Sequence, residues 1–91
     1  MTVTVRVPTQ LRALTGGRGE VAVEAATAGD ALRALVALHP GFGERLFGDD
    51  GSLRRFVNVF VADEDVRFLS GLDTPVPDGG TVSVVPAVAG G

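Results

Sequence analysis

The residues best suited to chemistry stand at the end of this chain. Ala87-Val88-Ala89-Gly90-Gly91 carries no charged side chain, no ring and, at its last two positions, no side chain at all. Glycine loses more conformational freedom on ordering than any other residue, so Gly90-Gly91 is a poor structural ending. A carboxylate on so bare an arm is nevertheless a chemical handle. It is slim enough to thread a narrow channel into another protein's active site. Taken alone, the segment also reads as a frayed terminus, since chain ends are commonly disordered unless tied down.

Elsewhere the chain offers little for catalysis. It has no cysteine, which excludes disulfides, thiolate metal sites and a cysteine nucleophile. Its eight basic residues are all arginines, so no lysine is present to form a Schiff base or accept an acyl group. The one histidine, His39, stands beside Pro40 near an expected helix C-terminus, and a lone imidazole argues against a zinc site or a histidine-based triad. Asp63-Glu64-Asp65 reads as a solvated acidic corner, because calcium loops need a longer, glycine-containing ligand spacing. No metal and no bound cofactor are expected. Eight basic against eleven acidic residues give a formal charge of −3 with no basic stripe, which argues against nucleic acid as a partner. At 45% apolar and 21% charged, the 91 residues suit one folded domain. The start, Met1 to Val5, reads as a strand rather than a signal peptide or membrane span, so a cytoplasmic location is expected.

The elements that must carry the tail follow from periodicity. Thr2 to Val7 alternates, with Val3, Val5 and Val7 on one face, and Pro8 ends it. Leu11 and Leu14 are expected to tuck one turn against the core before Thr15-Gly16-Gly17 reverses the chain. Glu20 to Glu24 is a second alternating run. Thr27 to Leu38 changes to helical spacing, with Thr27 as N-cap and Asp30 near the positive end of the helix. Ala28, Ala31, Leu32, Leu35, Val36 and Leu38 form its apolar stripe, and Arg33 faces out. His39-Pro40-Gly41 closes this helix, and Phe42 to Phe47 adds a short helical turn. Phe56 to Ala62 is the strongest strand, Val66-Arg67-Phe68 a short one, and Gly71 to Pro77 wanders. Thr81 to Val85 is the last strand, stopped by Pro86, which has no N–H to donate into a ladder.

The order is strand, strand, helix, strand, short strand, strand. It predicts an α+β fold of the β-grasp (ubiquitin-like) kind, a mixed sheet with one main helix packed on one face. The first and last strands then lie parallel at the sheet centre. Residues 1–86 are the expected domain and 87–91 a flexible tail. With Val57, Val59 and Val61 turned to the helix, Phe56 and Phe60 emerge on the open face with Val85. Such a patch is a candidate protein-docking surface, with Arg6 and Arg67 at its rim.

At this point the chain resembles a known family, the ThiS/MoaD-type sulfur carriers, and among them those of a cysteine-forming pathway. The likeness rests on Pro8-Thr9, Leu11-Arg12, Thr15-Gly16-Gly17, Arg55-Phe56-Val57-Asn58 and Asp63-Glu64-Asp65-Val66-Arg67-Phe68. It continues through Gly71-Leu72, Asp78-Gly79 and Pro86-Ala87-Val88-Ala89-Gly90-Gly91. The helical region matches less well, being richer in alanine and leucine. The resemblance implies a carrier, not an enzyme. An E1-like adenylyltransferase/sulfurtransferase would use ATP to adenylate Gly91, and a sulfur donor would displace AMP to leave a C-terminal thiocarboxylate. Gly90, Ala89, Val88 and Ala87 would thread the partners' active sites. The sulfur would pass to a biosynthetic enzyme, either a pyridoxal-phosphate-dependent cysteine synthase or one forming a thiosugar, thiazole or molybdopterin. A metalloprotease would release cysteine in the first case. Two rivals stay open: a ubiquitin-like modifier joined through Gly91 to target lysines, and a β-grasp binding module whose tail does nothing.

Overall fold

The computed structural model describes residues 1–55 and 57–86. Among them are strands β1 (Thr2–Arg6), β2 (Glu20–Glu24), β3 (Val57–Val61), β4 (Glu64–Asp65) and β5 (Thr81–Pro86), and helices α1 (Ala28–Leu38) and α2 (Phe42–Leu46). Short 3-10 turns occupy Thr9–Thr15, Val66–Phe68 and Gly71–Asp73. The strands form one mixed sheet in the order β2-β1-β5-β3-β4. β1 and β2 make an antiparallel hairpin, with Val3 opposite Val23 and Val5 opposite Val21. β5 lies parallel to β1, Val82 beside Val5, and β3 runs antiparallel to β5, Val59 beside Val84. This is the expected β-grasp arrangement, with the first and last strands side by side.

Strand alternation sends the valines to one face. Val3, Val5, Val21, Val23, Val57, Val59, Val61, Val82 and Val84 are all buried there. Ala28, Ala31, Leu32 and Leu35 of α1 are buried with them in one core, joined by Phe42 and Leu46 of α2. Each fully buried branched aliphatic or phenylalanine side chain contributes about 1.5–3 kcal/mol, so this two-layer contact dominates the fold. Thr27 caps α1 as expected, its Oγ1 accepting the Asp30 N–H at 3.1 Å. At the other end the His39 N–H donates to Leu35 O at 2.8 Å, and its half-buried ring stands edge-on to Phe42. The apolar stripe is narrower than predicted. Val36 is only half-buried, and Leu38, on the flank of the helix at its last residue, is 58% exposed.

The connection leading into β5 is docked rather than wandering. The Ala28 N–H donates to Thr74 O and the Val76 N–H to Ala26 O, both at 2.9 Å, and Val76 is buried. Gly29 permits the contact, because a Cβ there would come 2.9 Å from the Leu72 carbonyl oxygen.

Two local differences from the sequence reading arise around β4. The strand is Glu64–Asp65, and Val66–Phe68 is a 3-10 turn rather than a strand. The Asp65 carboxylate accepts the Arg67 N–H at 2.8 Å, a local hydrogen bond that competes with a sheet ladder. The turn separates two residues that a strand would place on one face: Val66 is buried and Phe68 is 86% exposed. At the other end of the chain, β5 runs one residue further than predicted, with Pro86 opposite Val57.

β3 and β4 are joined by the two-residue turn Ala62-Asp63, with φ of 51° and 68°, as a type I′ hairpin requires. Alanine in the left-handed region costs about 1–2 kcal/mol, partly offset by the unfolded-state entropy that glycine adds. Ala62→Gly is therefore expected to stabilise the protein by about 0.5–1 kcal/mol, read as a raised Tm. An unchanged or lowered Tm would mean that the turn is not strained.

Candidate functional site

The sheet face turned away from α1 carries the side chains that alternate with the core valines. One row crosses it in register: Glu20 on β2, Arg6 on β1, Ser83 on β5, Phe60 on β3 and Asp65 on β4. In the next row, towards the end of β5, Val85 stands opposite Asn58. Phe60 is half-buried, and Val85 is 44% exposed. Arg6 is exposed, its Nε 3.8 Å from a Glu20 carboxylate oxygen, a solvated pair of little energetic weight. Phe60, Val85 and Arg6 thus share one face. Phe56 lies outside the described residues.

Arg67 is on the same side of β3 but is already engaged. Its Nη1 donates to Asn58 Oδ1 at 2.6 Å. Its Nη2 donates to Val57 O at 2.8 Å and reaches Arg54 O and Arg55 O at 3.2 and 3.3 Å. The cause is the brevity of β4. Where that strand ends at Asp65, the guanidinium fork supplies donors that a longer strand would have given. Arg67 therefore positions the entry to β3, which lies beside the end of β5.

The tail residues Ala87, Val88, Ala89, Gly90 and Gly91 lie outside the described residues, as does the whole of the expected 87–91 segment. The described chain reaches Pro86, at the end of the strand that β1 and β3 flank. Beside that end is a groove of about 280 Å³, lined among others by Arg6, Pro8, Arg12, Gly19, Ser83 and Val85. Arg12 and Ser83 were not singled out as site residues from sequence. Ser83 could have been, since it alternates with the core positions Val82 and Val84. Among the described residues no cluster of three or more His, Cys, Asp or Glu side chains could hold a metal ion. Among them too, no helix is long and apolar enough to cross a membrane.

A family model described as the ThiS family matches residues 5–91, from the second half of β1 to the terminal glycine. The chain belongs to the ThiS family. Members of similar sequence include the sulfur carrier protein CysO of Mycobacterium tuberculosis, 48% identical over the full length of both chains. In three dimensions this ThiS-family chain is similar to a chain of the Amycolatopsis orientalis BexX/CysO complex. There the TM-score is 0.89 at 46% identity, covering 98% of this chain and 99% of the other. It is also similar to the small archaeal modifier protein SAMP1 of Haloferax volcanii, with a TM-score of 0.85 at 33% identity over the whole of both chains.

If Arg67 is a structural clamp, Arg67→Ala should destabilise this ThiS-family domain even without a partner. Hydrogen bonds to a charged group contribute about 1.5–3 kcal/mol, discounted for exposure, so a loss of about 1–2 kcal/mol in urea unfolding is expected. A variant as stable as the parent would return Arg67 to the list of contacts available to a partner.

Proposed function

We propose that this chain is a sulfur carrier whose reactive group is the Gly91 carboxylate. The observation that carries the reading is the full-length similarity to CysO, together with a family match that runs through Gly91. A carboxylate is a poor electrophile, since its charge repels nucleophiles and it has no good leaving group. An E1-like enzyme would transfer AMP from ATP to a Gly91 oxygen, releasing pyrophosphate. A sulfur donor would then attack the acyl carbon and expel AMP, leaving a thiocarboxylate. That group is anionic at neutral pH, and its sulfur is a good nucleophile delivered on a tether to an acceptor enzyme. The acceptor would be a pyridoxal-phosphate-dependent cysteine synthase, with a metalloprotease releasing cysteine afterwards, or an enzyme that forms a thiosugar, thiazole or molybdopterin.

In this reading residues 1–86 are the docking body and 87–91 the arm. Gly90 and Gly91 allow close approach to nucleotide and catalytic groups, and Ala87, Val88 and Ala89 are small enough for a groove. Phe60, Val85 and Arg6 form the docking face, and Arg67 braces the strand beside it. The likeness to SAMP1 supports a second reading, a ubiquitin-like modifier joined through Gly91 to target lysines. With no lysine of its own, this chain would not extend lysine-linked chains on itself.

Intact mass of the protein from its own cells separates the readings. A carrier gives a mass increase matching exchange of one oxygen for sulfur, located at Gly91, and deletion of Gly91 abolishes it without lowering Tm. Isopeptide conjugates with an unmodified free form would favour the modifier, and neither species would sink both. For the docking face, Phe60→Ala is expected to weaken association with the activating enzyme by about tenfold, the range of an aromatic anchor. A large fall in Tm with unchanged association would place Phe60 in a packing role instead.

A further inference from the structure

The groove beside the end of β5 is lined by an exposed arginine, Arg12, whose guanidinium is anchored to the fold at one nitrogen. Arg12 Nε–H donates to Val7 O at 3.1 Å. Its guanidinium lies over Gly19, where an added Cβ would come within 3.0 to 3.1 Å of its Cζ, Nε and Nη2. Gly19 does not adopt a positive φ, so an alanine there would meet Arg12 and not a backbone restriction. Among the described residues Arg12 forms no ion pair, whereas Arg6, lining the same groove, is shared with exposed Glu20. A fork anchored through Nε still has its terminal nitrogens to offer a carboxylate, and one of its rotations is already restrained.

Size and position narrow the occupant. At about 280 Å³ the groove falls just below the ~300–1,000 Å³ of small-molecule sites, so it suits a side chain better than a nucleotide. Pro8 and the exposed Val85 give it an apolar side. Pro86 follows Val85 directly, so a protein that takes up the chain beyond Pro86 must lie against this groove. Charge is also unevenly placed. Glu24 is opposite Thr2 at the start of β1, Asp78 accepts the Thr2 N–H, and Glu64 is opposite Val61 at the end of β3. Arg54 and Arg67 instead gather where β3 begins and β5 finishes, the end that also holds Arg12. Arg12, Arg54 and Arg67 thus stand near the exit of the arm, with Glu20 beside Arg6 at the same end of the sheet.

We infer that the Arg6–Arg12 groove receives a carboxylate side chain, carried on an extended and partly apolar segment of the protein that takes up the arm. Its use in the cell rests on the carrier reading above; its chemistry does not. Two measurements on the full chain test the inference. The first titrates the labelled protein with the blocked peptide N-acetyl-Val-Glu-Val-amide and follows the Arg Nε–H and backbone amide resonances by NMR. Saturable shifts are expected at Arg12, Arg6, Gly19 and Ser83, and they should vanish in Arg12→Glu. They should also weaken in Gly19→Ala, which keeps the charge and an ordinary backbone while displacing the guanidinium. Equal shifts with inorganic phosphate, equal shifts in both variants, or none at all would overturn the groove.

The second measures loading of the arm by the activating enzyme of the same cells. Arg12→Glu and Gly19→Ala are expected to load about tenfold or more slowly at low salt, with the difference shrinking as salt rises. Tm of each variant checks folding, and Gly19→Ala removes no hydrogen-bonding group. If the parent loads and both variants load equally well, the groove is not used and the carrier role stands. If the parent does not load at all, the carrier reading falls while the peptide titration still decides the groove.

Discussion

Burial of one valine-bearing sheet face under α1 is the constraint on which everything else in this molecule depends. Side chains alternate with a period of two along a strand, so a slip of one residue would invert every face. With Val82 and Val84 turned to Leu32 and Leu35, Ser83 and Val85 have to face the other way. The same register brings Arg6, Ser83 and Phe60 into one row across three strands. The open face is therefore a consequence of the core and not a separate construction. The same order makes β5, the last described strand, an interior strand flanked by β1 and β3.

That arrangement suits a protein whose chemistry is proposed to happen elsewhere. The body supplies no cysteine, no lysine and a single histidine, and that histidine is spent on the end of α1 beside Phe42. What the body contributes is shape and charge around the departure of β5. On one side the exposed Arg12 donates through Nε to the Val7 carbonyl, and on the other Arg67 is held by the carbonyls at the entry to β3. The two arginines illustrate how one side-chain type divides its work. A guanidinium whose nitrogens are filled by backbone oxygens braces the fold, whereas one oriented through Nε alone has donors left to offer.

Much of this was legible in the residues. Alternation in Thr2 to Val7, Glu20 to Glu24 and Thr81 to Val85 identified strands and faces, because burial on one side of a sheet imposes that pattern. Helical spacing and the Thr27 cap located α1. The missing lysines and cysteines bounded the chemistry of the side chains, since no fold can supply a functional group that the chain lacks. The family likeness was also carried by local runs such as Asp63 to Phe68.

Tertiary structure decided the rest, wherever one local pattern was compatible with two outcomes. Val66-Arg67-Phe68 alternates like a strand, yet the Asp65 carboxylate captures the Arg67 amide and turns it into a 3-10 turn. Leu38 continues the apolar stripe in sequence but sits on the helix flank, 58% exposed. Gly29 and Gly19 look like ordinary glycines until Leu72 and Arg12 are brought against them. Arg67 reads as a surface charge until the shortness of β4 leaves carbonyls for it to fill. Sequence determined which groups exist and which strand faces are apolar, because those follow from composition and period. Which arginine is occupied and which is available depended on contacts between residues far apart in the chain, and only the folded arrangement could settle it.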